Sequence, residues 1–410
     1  MKQKPQEIKI ADYTYELPNE RIAAFPLPKR DDSKLLVYKS GRISDERFYQ
    51  LPSQLPPNTT LVVNNTKVIE ARVLFRKPSG GVIEIFCLEP HNTSMEMALQ
   101  GGGVCSWNCL VGGASKWKPG QVLEKEVPGG GTLQAFYVSK EVDHFVIRFA
   151  WQPAHLPFAD VLHQTGAIPL PPYIKRDAQT EDSTRYQTVF ADKEGSVAAP
   201  TAALHFTDEV FSALAAKNIH TAPVTLHVGA GTFKPVKSET IGEHPMHAEH
   251  FQVSQHTLRK LIDSENIVAV GTTSLRTLES LHWIGIKLLN GAFLSNEEEL
   301  ELVQWECYEL AAQTITYKES LQALLQHLEQ KNQELLFCRT SLIIVPGYTF
   351  KSASAIVTNF HQPQSTLLLL VAAFVGPEWK KVYRHALDNE YRFLSYGDSS
   401  LLSRTPPLSP

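Results

Sequence analysis

Hydrophobic and polar positions along the chain fall into two textures. From about residue 65 to 151 the apolar residues come in short runs rich in β-branched and aromatic types: VIEARVLF (68–75), GGVIEIFCL (80–88), TLQAFYV (132–138) and HFVIRFAW (144–151). Glycine triplets at 101–103 and 129–131, with the pair Gly112 and Gly113, punctuate the region, so each run reads as a strand closed by a turn. Strands this short at this spacing predict a small barrel or sandwich. Elsewhere strand and helix patterns alternate. IVAV (267–270) runs into GTTSLRTLES as strand, turn and helix. TYKESLQALLQHLEQ (316–330) opens with Thr316 and Glu319 at capping-box spacing and aligns Leu321, Leu324, Leu325 and Leu328 as a core-facing stripe. Thr207 suits the N-cap of DEVFSALAAK, with Asp208 and Glu209 in the first turn where the helix dipole favours negative charge. Ser365 or Thr366 caps the apolar LLLLVAAFVG in the same manner. TYELP (14–18), SKLLVYK (33–39) and LLFCRTSLIIVPGYTF (335–350) read as strands of the larger unit, the last ending at Pro346 and Gly347. The pattern predicts an α/β fold: a larger mixed α/β domain (1–64 and 152–410) interrupted by an inserted small β-domain (65–151), barrel or sandwich.

Composition narrows the function classes. A chain of 410 residues, 43% hydrophobic and 20% charged, is long enough for two domains with a sizeable core. A formal net charge of −4 argues against wrapping nucleic acid by bulk electrostatics, so an RNA partner would have to be held by a local basic patch. Five cysteines, at 87, 105, 109, 307 and 338, are too few and odd in number for a disulfide framework. CSWNC (105–109) has no second pair at a matching interval, and no metal is expected. No apolar run near the first residues resembles a signal peptide, and LLLLVAAFV (367–375) is too short to span a bilayer. The expectation is a cytoplasmic protein with no membrane partner and no evident obligate protein partner.

Several stretches concentrate polar chemistry. VAAPTAALHFT (197–207) places His205 two residues before a helix cap, where it either points past the helix N-terminus or simply fills a structural position. VTLHVGAGTF (224–233) lacks the third glycine of a dinucleotide fingerprint, because Lys234 stands there. GTTSLRT (271–277) lacks the ending of a Walker loop, yet Thr272, Thr273 and a helix N-terminus after a strand suit a carboxylate or phosphate, with Arg276 adding charge. HPMHAEHF (244–251) gathers His244, His247, Glu249 and His250; Pro245 spoils helical metal-ligand geometry, so proton handling is favoured over a metal. TNFHQPQST (358–366) sets Asn359 and His361 in a proline-fixed loop before a helix, and YRFLSYGDSSLL (391–402) reads as an aromatic strand followed by a Tyr-Gly-Asp turn.

Taken together the chain resembles the S-adenosylmethionine:tRNA ribosyltransferase-isomerases, a queuosine-pathway family. The resemblance is carried in collinear order by ELPNERIAAFPLPKRDDSKLLV (16–37), VVNNTKVIEARV (62–73), GAIPLPPYIKR (166–176), RYQTVFA (185–191) and GSVAAPTAALHFT (195–207), then by the histidine, GTTSLRT, TNFHQPQST and YRFLSYGDSSLL stretches. It implies a larger mixed α/β domain with an inserted small β-barrel domain, and transfer and isomerisation of the ribosyl part of S-adenosylmethionine onto 7-aminomethyl-7-deazaguanine at the tRNA wobble position, giving epoxyqueuosine, adenine and methionine. S-adenosylmethionine is then a co-substrate, and tRNA the partner. The reaction needs a base beside the sulfonium and an acid at the departing adenine, which makes His205, His247, Glu249 and His361 the catalytic candidates. Thr272, Thr273, Arg276 and Asn359 are the candidates for holding S-adenosylmethionine, and Arg30, Lys67, Arg72, Lys175 and Arg176 for the tRNA backbone. Four positions depart from the family pattern: Asn65 replaces an aspartate, Glu70 a proline, Ala203 a glycine and Gln364 a lysine. The departures at Asn65 and Gln364 keep open a diverged paralogue that binds tRNA without turnover. A different S-adenosylmethionine-cleaving enzyme and a metal-dependent hydrolase built on HPMHAEHF are the remaining alternatives.

Overall fold

A computed structural model describes residues 4–118, 120–229, 235–292 and 300–404. Its centre is four parallel strands in the spatial order His220–Leu226, Thr59–Asn64, Asn266–Val270 and Ala355–Asn359. Each is rich in β-branched residues, and Thr59–Asn64 is buried at every position, as a strand covered on both faces must be. Side chains alternate between the faces: Val62, Ala269 and Ile356 enter one core, while Leu61, Val63, Val268 and Val357 enter the other. The sheet extends to ten strands. Glu249–Ser254, Leu335–Thr340 and Leu300–Leu302 add one flank; Ser399–Ser403, Lys34–Lys39 and Arg42–Arg47 add the other.

From the Thr59–Asn64 strand the chain passes to His220–Leu226 on one side, and later to Asn266–Val270 and Ala355–Asn359 on the other. Connections that leave in opposite directions open a crevice at the carboxyl ends of the central strands. The Thr272–Leu289 helix begins at that end and runs through the core, buried from Ser274 to Ile286. Gly271 precedes it at φ 89°, a conformation that favours glycine, and turns the chain directly from strand into helix. Deeper in the core Gly285 lets this helix pass close to the Tyr317–Gln330 helix: a Cβ there would stand 2.3 Å from the Ser320 carbonyl oxygen.

A second sheet of seven strands, Arg72–Arg76 through Gly166–Ala167, has its own core around Trp107, Trp151, Phe149 and Phe158. Its strands Arg72–Arg76 and Leu123–Glu126 approach one another, with Lys125 Nζ donating to the Leu74 carbonyl at 3.2 Å. The fold is thus mixed α/β with two large sheets.

The expected caps form. Thr207 accepts from Val210 N, Ser365 from Leu368 N at 3.1 Å, and Thr316 and Glu319 complete their capping box. Leu321, Leu324 and Leu328 are fully buried. Three expected strands differ. Residues 14–18 join no sheet, because Tyr15 packs on Tyr383 and Phe393 and its hydroxyl binds the His361 carbonyl. The 335–350 run is ladder only over Leu335–Thr340 and continues as buried extended chain. Residues 391–398 form a turn, with strand beginning at Ser399. Of the VTLHVGAGTF stretch, residues 230–233 lie outside the described residues, as do Lys234 and the tail from 405.

Candidate active site

A cavity open to solvent lies in the crevice. Its walls come from segments far apart in sequence: Tyr173, residues 198–202, Val228, Gly271 to Thr273, Thr358 and Asn359, His361 and Gln362, Ser365, Leu367, and Leu394 with Ser395. Ala198, Ala199, Ala202, Val228 and Leu394 make it largely apolar, and a few polar groups converge on it.

Asn359 ends its strand at the cavity wall and is 3% exposed. Thr201 Oγ1 donates to its Oδ1 at 2.8 Å, which fixes the amide and leaves Nδ2 a buried donor with no partner among the described residues. His361 lies two residues on. Its Nε2 is 2.9 Å from Thr358 Oγ1, its backbone N–H donates to the Tyr383 hydroxyl at 3.1 Å, and burial pushes its pKa down to about 3. The ring is therefore neutral at physiological pH, with Thr358 on one nitrogen, and the backbone is held separately by Tyr383. Opposite, Thr272 and Thr273 open the Thr272–Leu289 helix, whose Gly271 N-cap supplies no side-chain acceptor, so the first-turn N–H groups are open to an anion. Tyr173 completes the wall with its hydroxyl 2.5 Å from Ser395 Oγ.

Arg276, one turn into that helix, does not line the cavity. Its Nη1 meets Glu249 Oε2 at 2.8 Å, and the other Glu249 oxygen accepts from Gly229 N at 3.2 Å. Both side chains are about nine-tenths buried, and Arg276 Nε and Nη2 have no partner among the described residues. Glu249 opens its strand facing inward, while His250 and His247 are exposed. The HPMHAEHF cluster is thereby scattered, and no group of three or more His, Cys, Asp or Glu positioned for a metal occurs among the described residues.

His205 occupies a separate, smaller cavity with Arg30, Arg185, Arg392 and Tyr396; Ser395 belongs to the walls of both. Its Nδ1 lies 3.2 Å from the Arg30 carbonyl, its ring packs against Phe48, and burial lowers its pKa to about 4. Arg30 directs its guanidinium at the carbonyls of Gln187, Leu204 and Thr184. Arg176 grips Asp182 through two hydrogen bonds of 2.7 and 2.9 Å. Lys67 pairs with Glu194 at 2.8 Å, Arg72 lies on the seven-stranded sheet beside Glu84 and Phe86, and Lys175 is exposed.

Of the residues expected to act, the main cavity thus brings together His361, Asn359, Thr272 and Thr273. The sequence context of Ser395 and Thr358 does not single them out, since a serine between a leucine and a tyrosine and a threonine inside a strand carry no signal of their own. The family departures have local accounts at two positions. Asn65 Oδ1 accepts from Thr225 Oγ1 at 2.6 Å, as a carboxylate oxygen would, and Glu70 faces His163 Nδ1 at 3.0 Å.

Comparison with known proteins agrees along the whole chain. A family model described as "Queuosine biosynthesis protein" matches residues 10–402. The S-adenosylmethionine:tRNA ribosyltransferase-isomerase of Magnetococcus marinus is 37% identical over 96% of this chain and 94% of its own length. That of Chlorobaculum parvum is 36% identical over 97% of this chain and 100% of its own. A solved S-adenosylmethionine tRNA ribosyltransferase from Thermotoga maritima is 29% identical over 95% of this chain and 99% of that one, with a TM-score of 0.45. On the strength of the sequence matches, which run almost end to end, the chain belongs to the queuosine biosynthesis protein family.

Proposed function

We propose that this protein transfers and isomerises the ribosyl group of S-adenosylmethionine onto 7-aminomethyl-7-deazaguanine at the wobble position of tRNA, yielding epoxyqueuosine-tRNA, adenine and methionine. The observation that carries the reading is the apolar cavity at the ends of the central strands, lined by Asn359, His361 and a helix N-terminus, in a chain of this family. The apolar walls suit the adenosyl group, and the helix N-terminus with Thr272 and Thr273 suits the methionine carboxylate. Asn359 Nδ2 supplies a fixed neutral donor to the purine. His361, neutral and two residues away, handles a proton at the reacting carbons or at the departing adenine, in a site that excludes water from reactive intermediates.

In this reading Glu249 and Arg276 set the helix that presents Thr272 and Thr273, and His205 supports the neighbouring arginine-lined cavity. The seven-stranded sheet is read as the closed insertion within the larger unit, and Lys67, Arg72, Lys175 and Arg176 as outlying contributors of positive charge toward tRNA. No resident metal is invoked, and the protein acts in the cytoplasm. No helix among the described residues is long and apolar enough to cross a membrane.

The test is an incubation of the purified protein with S-adenosylmethionine and tRNA carrying the 7-aminomethyl base, with nucleosides read by mass spectrometry. Epoxyqueuosine with tRNA-dependent adenine release is expected. Tight tRNA binding with neither product would replace the reading with a non-catalytic paralogue. Adenine release without tRNA would replace it with a different S-adenosylmethionine-cleaving enzyme.

A further inference from the structure

Residues 24–28, AFPLP, form an irregular bend that three arginines distant in sequence hold by its carbonyls. Arg176 Nε donates to Ala24 O at 2.9 Å, Arg392 Nη1 to Phe25 O at 3.2 Å, and Arg185 to Leu27 O and Pro28 O. Two prolines stiffen the bend further. A segment fixed this firmly could turn its aromatic ring inward. Instead Phe25 is 51% exposed, with one face covered by the Arg176 guanidinium 4.2 Å from the ring centre.

Beneath the bend lies the smaller cavity. Arg30, Arg185, Arg392 and His205 line it, and no carboxylate does. Asp398 reaches Arg392 at 3.5 Å from outside that lining. Arg185 Nε and His205 Nε2 are buried without partners among the described residues, and His205 is only 5% exposed. Through Ser395 this cavity adjoins the main one. An exposed ring backed by a guanidinium, above concentrated positive charge, is the arrangement that binds unpaired nucleotides: the base stacks on the free face and the phosphate meets the charge. A duplex keeps its base faces stacked internally and could not use the ring, so the partner has a single-stranded loop.

We infer that Phe25 is a stacking platform for an unpaired base of the RNA substrate, and that the arginines clamping the bend beneath it attract the neighbouring backbone phosphate. The inference rests on the tRNA reading above. Charge alone does not define the site; the exposed ring does. The arginines serve it twice, by holding the bend rigid and by attracting the backbone.

Binding of a short RNA hairpin with an unpaired loop, compared with the same stem as a blunt duplex, tests this by fluorescence anisotropy across a salt series. Wild-type protein binds the hairpin more tightly than the duplex. Phe25→Ala weakens hairpin binding, and raises KM for tRNA, by about tenfold, while its affinity for S-adenosylmethionine stays at the wild-type value. Phe25→Trp restores hairpin binding. Arg185→Gln lowers the slope of log affinity against log salt by about one. Equal binding of hairpin and duplex by wild type, or Phe25→Ala within about twofold of wild type, overturns the platform. A wild-type protein that neither binds the hairpin nor modifies tRNA overturns the proposed function itself.

Discussion

His361 and His205 line adjoining cavities that share Ser395, and burial holds both rings neutral, yet their surroundings use hydrogen bonds differently. Around His361, Asn359 keeps an amide nitrogen with no partner among the described residues, and a helix opens without a capping side chain. Around His205, the guanidinium of Arg30 ends on three carbonyls, and Arg185 and Arg392 clamp the 24–28 bend. In the proposed reading the first arrangement reserves donors for a small molecule. The second directs them at the protein's own backbone, and charge and the exposed Phe25 ring are what the proposal assigns to a larger partner. Residue type alone does not separate the two, since each region offers a histidine and polar neighbours; the disposition of donors does.

The comparison breaks first at the histidines. His361→Ala is expected to lower kcat by about 10²- to 10⁴-fold, whereas His205→Ala lowers stability and changes kcat far less. Steady-state kinetics on both variants, beside their denaturation curves, decide it; an equal loss of kcat in the two would erase the distinction. Next in size is the buried pair behind the helix. Glu249→Ala leaves Arg276 uncompensated and is expected to cost about 3–5 kcal/mol in urea denaturation. Glu249→Leu combined with Arg276→Met should recover most of that stability, and failure to do so would mean that the pair does more than hold the helix.

Acid sharpens the contrast at about 1.4 kcal/mol per pH unit for each histidine. His205, His227 and His282 have pKa values lowered to about 4, and His361 to about 3, against an ordinary 6.5, chiefly through burial. The unfolded chain takes up protons first as pH falls below about 6.5. Stability is therefore full above that pH and declines toward pH 4. His205→Gln should flatten the decline, measured as denaturation midpoint against pH. The smallest effect is expected at the rim: Lys67→Ala breaks a half-exposed pair with Glu194 and should shift stability by less than about 1 kcal/mol. A larger shift would show that the lysine does more than decorate the surface.

Features written in adjacent residues were legible in the sequence. Thr207, Thr316 and Ser365 cap helices through bonds to residues three positions away, so the local pattern contains the whole interaction. The strand-turn-helix at Gly271 was legible for the same reason. Features that depend on distant partners were not. TYELP has strand-like composition, but Tyr15 is captured by Tyr383 and by the His361 carbonyl more than three hundred residues away. Arg30 reads as a free cation until its acceptors, 154 to 174 residues along the chain, are in place. His205 and His361 look alike as motif residues, and only the packing assigns them to different cavities.

The distances that hid the main cavity from sequence also govern when it can exist. Its walls are drawn from near residues 173, 200, 228, 271, 359 and 394, so no fragment short of most of the chain contains it. Closing loops of that length is a slow event in folding, which makes the cavity one of the last features to assemble. A molecule that occupies it binds only the finished fold and therefore raises the melting temperature by mass action. For this protein, ligand occupancy therefore counts only chains whose folding is complete.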